Sequence, residues 1–133
     1  MTEYFVGLMS GTSMDGIDAV LVSFSDAALE IHATHSQPYP AALRDALIAA
    51  ANTSLDTPLD LSGELNKQVG ECFRDAACAV ITNSGVAHTD VVALGSHGQT
   101  LRHQPNADPP FSLQIGDASI IAAGTQVTTV ANF

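Results

Sequence analysis

The chain has 133 residues, of which 14 are acidic and only 4 are basic, so its formal net charge is −10. That length suits a single domain, and a hydrophobic content of 46% indicates a packed core rather than a disordered acidic chain. Nucleic acids and anionic membranes bind through clustered Lys and Arg, whereas the four basic residues here are scattered along the chain. The composition therefore argues against both as partners.

The N-terminus, the apolar runs and the two cysteines bear on where the protein is located. The first four residues contain no basic group, and no run approaches the roughly 20 apolar residues that a membrane helix needs. Cys72 and Cys78 lie six residues apart in a helical stretch, which favours two buried thiols in a reducing compartment. We expect a cytoplasmic protein.

Three strands are predicted at the start of the chain. Residues 4–9 form a short apolar run, and residues 17–24 form a second run rich in β-branched side chains, so the two predict a β-hairpin. Apolar and polar residues then alternate over 29–34, which predicts a third strand after the turn at Ser25 and Asp26. The three strands form a meander.

Two helices follow. Pro40 suits the first turn of a helix over 41–51, with Leu43 and Leu47 on its apolar face and Arg44 and Asp45 facing water. A longer helix is predicted over 62–82, with apolar residues at steps of three and four, and Gly85 suits a left-handed C-cap.

The rest of the chain alternates between strands and turns. Residues 90–94 predict a buried strand that turns at 95–99, residues 102–110 a proline-containing loop, and residues 111–115 a short strand. A short helix over 117–123 and a strand over 126–131 complete the order β-β-β-α-α-β-β-α-β. This order predicts an α/β fold with one mixed sheet and flanking helices. The chain stops inside a strand, so we expect it to be a fragment.

The first motif, residues 9–18, places two glycines, three hydroxyls and two carboxylates in one turn between strands. Glycines let a ligand approach the backbone, and successive N–H groups with hydroxyls can bind phosphate oxygens. Carboxylates beside phosphate favour a bridging Mg²⁺ or a sugar hydroxyl. An ordinary polar hairpin turn is the alternative interpretation of the same composition.

Two better-known motifs are excluded. The spacing of Gly11 and Gly16 matches half of a P-loop, but Ile17 and Asp18 stand where Lys and Ser or Thr are required. The Gly-Thr-Ser-Met segment also occurs around a protease nucleophile, but Ser13 lies too early for the other triad members to precede it.

The second motif (residues 95–100) and the third motif (residues 114–117) follow predicted strands. In the second, His97 can bond a sugar or carry a proton near neutral pH, and packing of its ring at the strand end is the alternative. In the third, Asp117 suits the N-cap of the following helix.

These segments together resemble a family. Residues 7–18 (GLMSGTSMDGID) resemble the opening of the anhydro-N-acetylmuramic acid kinases, which belong to the acetate and sugar kinase/Hsp70/actin superfamily. The segments HGQT at 97–100 and LQIGD at 113–117 are similar to family segments in the same order. The resemblance implies a ribonuclease H-like sheet, half of an actin-like ATPase fold. It also implies that residues 1–133 are one domain, the N-terminal half of a two-domain sugar kinase whose C-terminal domain is absent.

The resemblance also implies an activity. Members of the family phosphorylate the 6-oxygen of 1,6-anhydro-N-acetylmuramic acid from ATP and hydrolyse the anhydro ring, a step in murein recycling. The first motif would bind the ATP phosphates with Mg²⁺, through Gly11, Thr12, Ser13, Met14, Asp15, Gly16, Ile17 and Asp18. Asp15 and Asp18 are the candidate metal ligands, whereas Thr12, Asp15, His97 and Gln99 are expected near the sugar.

The end of the chain departs from the family pattern. In the family a strand ending V-x-D-F precedes an arginine-rich segment and a catalytic aspartate, whereas here Asn132 takes the place of the first Asp and the chain stops at Phe133. The catalytic Asp is thus expected beyond Phe133, no catalytic residue is assigned within the chain, and the chain alone is expected to be inactive. Two alternatives stay open: a non-catalytic actin/Hsp70-like module that binds nucleotide or a partner, and a structural fragment that is covered in a homodimer.

Overall fold

A computed structural model describes residues 1–52 and 57–133. The predicted order of strands and helices is confirmed, with one added turn of 3-10 helix at His88–Asp90. The strands are β1 (Tyr4–Ser10), β2 (Gly16–Phe24), β3 (Leu29–Pro38), β4 (Val91–Gln104), β5 (Phe111–Ile115) and β6 (Thr128–Ala131). The helices are α1 (Ala41–Asn52), α2 (Leu59–Ser84) and α3 (Ala118–Thr125).

The strands form one mixed sheet in the order β3-β2-β1-β4-β5, and β6 also pairs with β4. The meander β1-β2-β3 is antiparallel, as is the pair β4-β5, whereas β1 and β6 both run parallel to β4. The helices α1 and α2 connect β3 to β4. They form part of the crossover that brings β4 beside β1 in the parallel direction. The predicted α/β fold with a mixed sheet is therefore confirmed.

The core lies between one face of the sheet and the helices. Val6 and Leu8 of β1 and Ile17 and Ala19 of β2 alternate with exposed or half-buried neighbours, and all four are buried. Phe73 of α2 and Leu47 of α1 are fully buried in the same core. The apolar steps of α2 face this core, as its periodicity predicts. Gly85 ends α2 in the left-handed conformation, with φ of 75°, so the predicted C-cap is also confirmed.

The second motif does not turn out of its strand as predicted, because β4 continues through it to Gln104. Gly98 has φ of +74° and interrupts the regular ladder locally, but Ser10 of β1 pairs with Gln99 and β5 pairs from Gln99 onward. Gln99 therefore has partners on both sides, and the segment stays in the strand across the irregularity at Gly98. The predicted loop over 102–110 is correspondingly shorter.

Three other boundaries also differ from the prediction. The third strand runs to Pro38 because β2 supplies partners along its whole length. The last strand begins only at Thr128, because Gln126 adopts a left-handed conformation (φ 57°) as the C-cap of α3. Helix α2 begins at Leu59, directly after Pro58, three residues before the predicted start.

Apolar side chains are exposed on the second face of the sheet, including Met9, Val130 and Phe133. Met9 and Phe133 border a cavity of about 600 Å³. Among the described residues, no helix is long and apolar enough to cross a membrane. Of the two cysteines, Cys72 is buried as predicted and Cys78 is only half-buried; burial is the main cause that raises the pKa of both thiols.

Candidate functional site

The first motif forms a tight turn between β1 and β2 that presents its polar groups to solvent. The Met14 N–H donates to the Gly11 carbonyl at 3.1 Å, and Met14 itself has φ of 56°. Its side chain is 4% exposed and packs into the core, so this apolar anchor offsets the cost of a left-handed non-glycine residue. Between these two positions Thr12 and Ser13 are exposed.

Gly16 closes the turn at a position where only glycine fits. A Cβ atom there would lie 2.2 Å from the Gln37 carbonyl oxygen and 2.9 Å from the Pro38 Cα. The backbone of β3 therefore presses directly against the end of the first motif. This close approach makes β3 the second wall of the site.

The first-motif cavity lies between the turn and the end of β3 and measures about 390 Å³. From the first motif it is lined by Gly11, Ser13, Asp15, Gly16, Ile17 and Asp18. Its other wall consists of Ser36, Gln37 and Pro38, which the sequence analysis did not assign to the site. The signal for them was the meander itself, because β3 pairs Ser36 with Asp18, but the predicted strand ended too early to show it.

Both candidate metal ligands line the first-motif cavity, and each uses its Oδ1 atom within the protein. Asp18 Oδ1 accepts a hydrogen bond of 2.6 Å from the Ser36 hydroxyl. Asp15 Oδ1 accepts one of 3.3 Å from the Arg44 guanidinium, and Arg44 Nε also donates to the Met14 carbonyl at 3.1 Å. Arg44 was predicted to face water, and its side chain is 40% exposed, but it also reaches from α1 to the first motif, which the prediction did not include.

This donor set fits Mg²⁺ bound together with phosphate. Within the described residues no cluster of three or more His, Cys, Asp or Glu side chains could hold a metal by itself. Mg²⁺ in nucleotide sites needs only one or two carboxylates, with phosphate oxygens and water completing the shell. Two exposed carboxylates on one cavity beside a Gly, Ser and Thr turn meet that requirement.

Gln99 of the second motif is fully buried under the first motif. Its Nε2 donates to the Gly11 carbonyl at 3.2 Å and to the Thr100 carbonyl at 3.3 Å. Its Oε1 lies 2.6 Å from the Ser10 hydroxyl and accepts from the Tyr39 hydroxyl at 3.2 Å. Gln99 was predicted near the sugar, and the structure places its amide among protein partners only.

Tyr39, which bonds Gln99 beneath the first motif, is strongly desolvated. Its side chain is buried, and desolvation raises the pKa of the phenol to about 12, while a hydrogen bond with Ser10 acts in the opposite direction. The phenol therefore stays protonated at neutral pH and remains a donor. The hydrogen bonds beneath the first motif lie in a low-dielectric environment, where each is stronger than in water.

His97 lies on the second face of the sheet, apart from the first-motif cavity. It is half-buried, its Nδ1 is 3.4 Å from the Gly98 carbonyl, and it lines the 600 Å³ cavity together with Met9 and Asp18. Asp18 lines both cavities. The structure thus brings Asp15 to Asp18 and Asp18 to His97, whereas Thr12 lines neither cavity.

The third motif is held by α2. The Gly116 N–H donates to Asn66 Oδ1 at 2.8 Å, and the Asp117 N–H donates to the Asn66 carbonyl at 3.1 Å. The Asp117 carboxylate accepts from the Ser119 N–H at 2.8 Å, which confirms the predicted N-cap of α3. The groups of this motif are used inside the fold.

Taken together, these features define a class of protein. A three-stranded meander, a helical crossover to a parallel fourth strand, and an exposed polar turn in the first hairpin describe a half-domain of the actin-like ATPase type. Residues 3–133 match the family model of anhydro-N-acetylmuramic acid kinase. The chain belongs to this family, as the resemblance of its three motifs implied.

Similar curated proteins carry the same name. An anhydro-N-acetylmuramic acid kinase of Xanthomonas campestris is 49% identical over 132 residues, and one of Shewanella denitrificans is 45% identical over 131 residues. A third, from Vibrio cholerae, is 44% identical over 133 residues. Each match covers 97–98% of this chain but only 35% of the relative, so the chain spans about a third of the length of these proteins.

Proposed function

We propose that the chain supplies the phosphate-binding part of an ATP-dependent kinase acting on 1,6-anhydro-N-acetylmuramic acid. In this proposal the kinase transfers phosphate to the 6-oxygen and hydrolyses the anhydro ring to N-acetylmuramic acid 6-phosphate, within cytoplasmic murein recycling. The family match over residues 3–133 carries the proposal. The exposed turn of the first motif is the feature of the fold that supports it.

The proposed role of the turn is to hold phosphate oxygens. Thr12 and Ser13 are exposed, and their hydroxyls make no hydrogen bond within the described part of the chain. Glycine at position 11 leaves the backbone open to a ligand. Phosphoryl transfer depends mainly on positioning and charge neutralisation, which such a turn provides without a nucleophile of its own.

The proposed metal ligands are Asp15 and Asp18, whose carboxylates lie on the same cavity. Bound Mg²⁺ would neutralise charge that develops on the transferring phosphate. Arg44 holds Asp15 at the cavity rim, and Ser36 holds Asp18. Each carboxylate is therefore oriented before any ion binds, which lowers the entropic cost of binding.

The sugar is proposed to lie against Thr12, Asp15 and His97. His97 shares a cavity with Asp18, which is the neighbour of the phosphate site in this proposal. Gln99 is fully buried and acts on the sugar only through the turn that it holds. Ring opening also needs a base that activates water. We propose that the catalytic Asp serving as this base, and the adenosine site, lie outside these 133 residues.

The proposed division of labour is tested by joining the chain to the two thirds of a relative that it does not match. The 133-residue chain, incubated with Mg·ATP and the anhydro sugar, should give no 6-phosphate product by mass spectrometry. A chimera in which it replaces the matched segment of the Xanthomonas campestris relative should give the product. An Asp15→Asn chimera is the matched control and should be soluble but at least tenfold slower. A soluble but inactive wild-type chimera, or product from the chain alone, would contradict the proposal.

A second candidate function is a non-catalytic module that binds nucleotide or a partner, including a second copy of the chain. The exposed apolar residues Met9, Val130 and Phe133 on the second face of the sheet favour it. Light-scattering mass measured over a range of concentrations distinguishes the two. A dimer that Val130→Asp converts to monomer would support the module, and a monomer at every concentration would count against its homodimeric form.

A further inference from the structure

Both polar atoms of the Gln99 amide have their hydrogen-bond partners within the protein. A glutamine amide has two N–H donors and two acceptor lone pairs. The donors reach the Gly11 and Thr100 carbonyls, and the acceptor oxygen contacts the Ser10 and Tyr39 hydroxyls. With 0% of the residue exposed, none of these bonds can be replaced by water without opening the core.

The orientation of the Gln99 amide is fixed by its partners. If the amide were rotated by half a turn, Oε1 would face the carbonyl oxygens of Gly11 and Thr100, which have no hydrogen to donate. The observed orientation is the one in which both carbonyls receive a donor. The two carbonyls therefore select one orientation of the Gln99 amide.

The bonds of Gln99 reach both ends of the phosphate-binding turn. One end is held directly, since Nε2 bonds the Gly11 carbonyl, which also accepts from the Met14 N–H. At the other end Ser10 lies between Gln99 and the turn, with its hydroxyl 2.7 Å from the Gly16 carbonyl and 2.6 Å from Gln99 Oε1. Because one hydroxyl has one hydrogen, Ser10 can donate to only one of these oxygens at a time.

We infer that Gln99 is a positioning residue that fixes the first motif in its ligand-binding shape without touching ATP or the sugar. Gln99 lies in β4 and is separated from the first motif by more than 80 positions, so it couples the second motif to the first. The consequence for binding rests on the proposed function, whereas the effect on the turn does not. Loss of Gln99 should loosen the turn and weaken Mg·ATP binding by about tenfold, as loss of an outer-shell partner commonly does.

The test compares two methionine variants of the full chain. Gln99→Met keeps the length of the side chain but removes all four bonds. Gln114→Met is the matched control, because Gln114 of β5 is exposed and bonds Thr100 Oγ1 and Ser112 Oγ without contacting the first motif. Amide hydrogen exchange at residues 11–16 and an NMR titration with Mg·ATP are measured for both. Faster exchange and weaker binding in Gln99→Met alone are expected.

A milder variant keeps the test valid if Gln99→Met does not fold. Tyr39→Phe removes only the hydroxyl that bonds Gln99 Oε1, and it should speed exchange at residues 11–16 by a smaller factor. In the wild-type chain the Gln99 side-chain N–H protons should exchange slowly and show no contact with added anhydro sugar. Direct contacts between those protons and the sugar would overturn the inference.

The two proposals fail in different ways. If the wild-type chain does not respond to Mg·ATP, the proposed phosphate-binding role of the first motif is wrong, and exchange at residues 11–16 still decides the role of Gln99. If Mg·ATP binds and Gln99→Met changes neither the exchange nor the affinity, the positioning role is wrong while the phosphate site stands.

Discussion

The first and third motifs each follow a strand whose last residue lies level with Gln99 of β4, yet they use their polar groups in opposite ways. In the first, Thr12, Ser13 and Asp15 are exposed, while buried residues hold the backbone from below. In the third, the Gly116 N–H and the Asp117 carboxylate are both bonded within the fold, to Asn66 and Ser119. A motif shared with a family can therefore mark a ligand site or a structural joint.

The two motifs differ in which of their polar groups are hydrogen-bonded within the protein. Three backbone carbonyls of the first motif and the Oδ1 atoms of Asp15 and Asp18 accept hydrogen bonds within the protein, whereas the hydroxyls of Thr12 and Ser13 make none within the described residues. In the third motif the Gly116 N–H bonds Asn66 of α2, and the Asp117 carboxylate caps α3. Substitutions in the first motif should change binding more than stability, and those in the third should do the reverse.

The largest effect on stability is expected from Gly16→Ala, because Gly16 both lines the first-motif cavity and packs against the backbone of β3. The added Cβ would lie 2.2 Å from the Gln37 carbonyl, so β2 and β3 must separate locally. We expect a loss of about 2–3 kcal/mol in the free energy of unfolding, measured with urea. Gly63→Ala is the control, because no atom lies within 4 Å of a Cβ there, and the exposed helical position should be unharmed. Equal stability of both variants would contradict the close packing of β3 on the first motif.

A loss of about 1–2 kcal/mol is expected from Asn66→Ala, which removes the side-chain acceptor of the Gly116 N–H. Asn66→Asp keeps an oxygen at that position and should retain most of the stability. Neither variant should alter the response of the first motif to Mg·ATP. An Asn66→Ala variant that binds Mg·ATP more weakly but keeps the wild-type free energy of unfolding would contradict the comparison of the two motifs.

The buried support of the first motif predicts a loss of stability at alkaline pH. The pKa of Tyr39 is raised to about 12 in the folded protein, so the folded state holds its proton more tightly than the unfolded chain does. This contribution is constant well below pH 10 and declines as the pH rises above that value. By about pH 11 the loss should reach roughly 1.4 kcal/mol. The free energy of unfolding of Tyr39→Phe should decline less over this range, and parallel profiles would show that Tyr39 is not shielded.

The smallest change in stability is expected from Asp15→Asn, because the pair with Arg44 is exposed and keeps its Oδ1 acceptor. The free energy of unfolding should stay within about 0.5 kcal/mol of the wild type. Mg·ATP binding, in contrast, should fall about tenfold if Asp15 holds the metal. Asp26→Asn removes the same charge from the turn between β2 and β3 and should leave binding unchanged. A stable Asp15→Asn variant with normal affinity would remove Asp15 from the metal site.

The local pattern of the sequence predicted the elements and their order, because the apolar periodicities of α2 and of the meander are strong. It also predicted the N-cap at Asp117 and the C-cap at Gly85, which depend on residues near each other in the chain. It could not predict that β4 continues through Gly98, since the partners that keep it extended, Ser10 and Ile115, are distant in sequence.

The site was predicted less completely than the fold. The composition of the first motif left a ligand-binding turn and an ordinary hairpin turn both open, and the family resemblance favoured the ligand-binding turn. Arg44 and the end of β3 reach this motif only through tertiary packing. Gln99 was singled out by its motif, and a sequence does not show that its amide points inward to four protein partners. Burial decides between a ligand contact and a support, and burial is a property of the folded chain.

One titration tests the central claim most directly. Mg·ATP is added to the wild-type chain up to millimolar concentration while the backbone amide signals are followed by NMR. We predict Mg²⁺-dependent shifts at Gly11, Thr12, Ser13 and Asp15, with Gly116 and Asp117 unchanged. Shifts that spare the first motif, or no shifts at all, would contradict its assignment as the phosphate-binding turn.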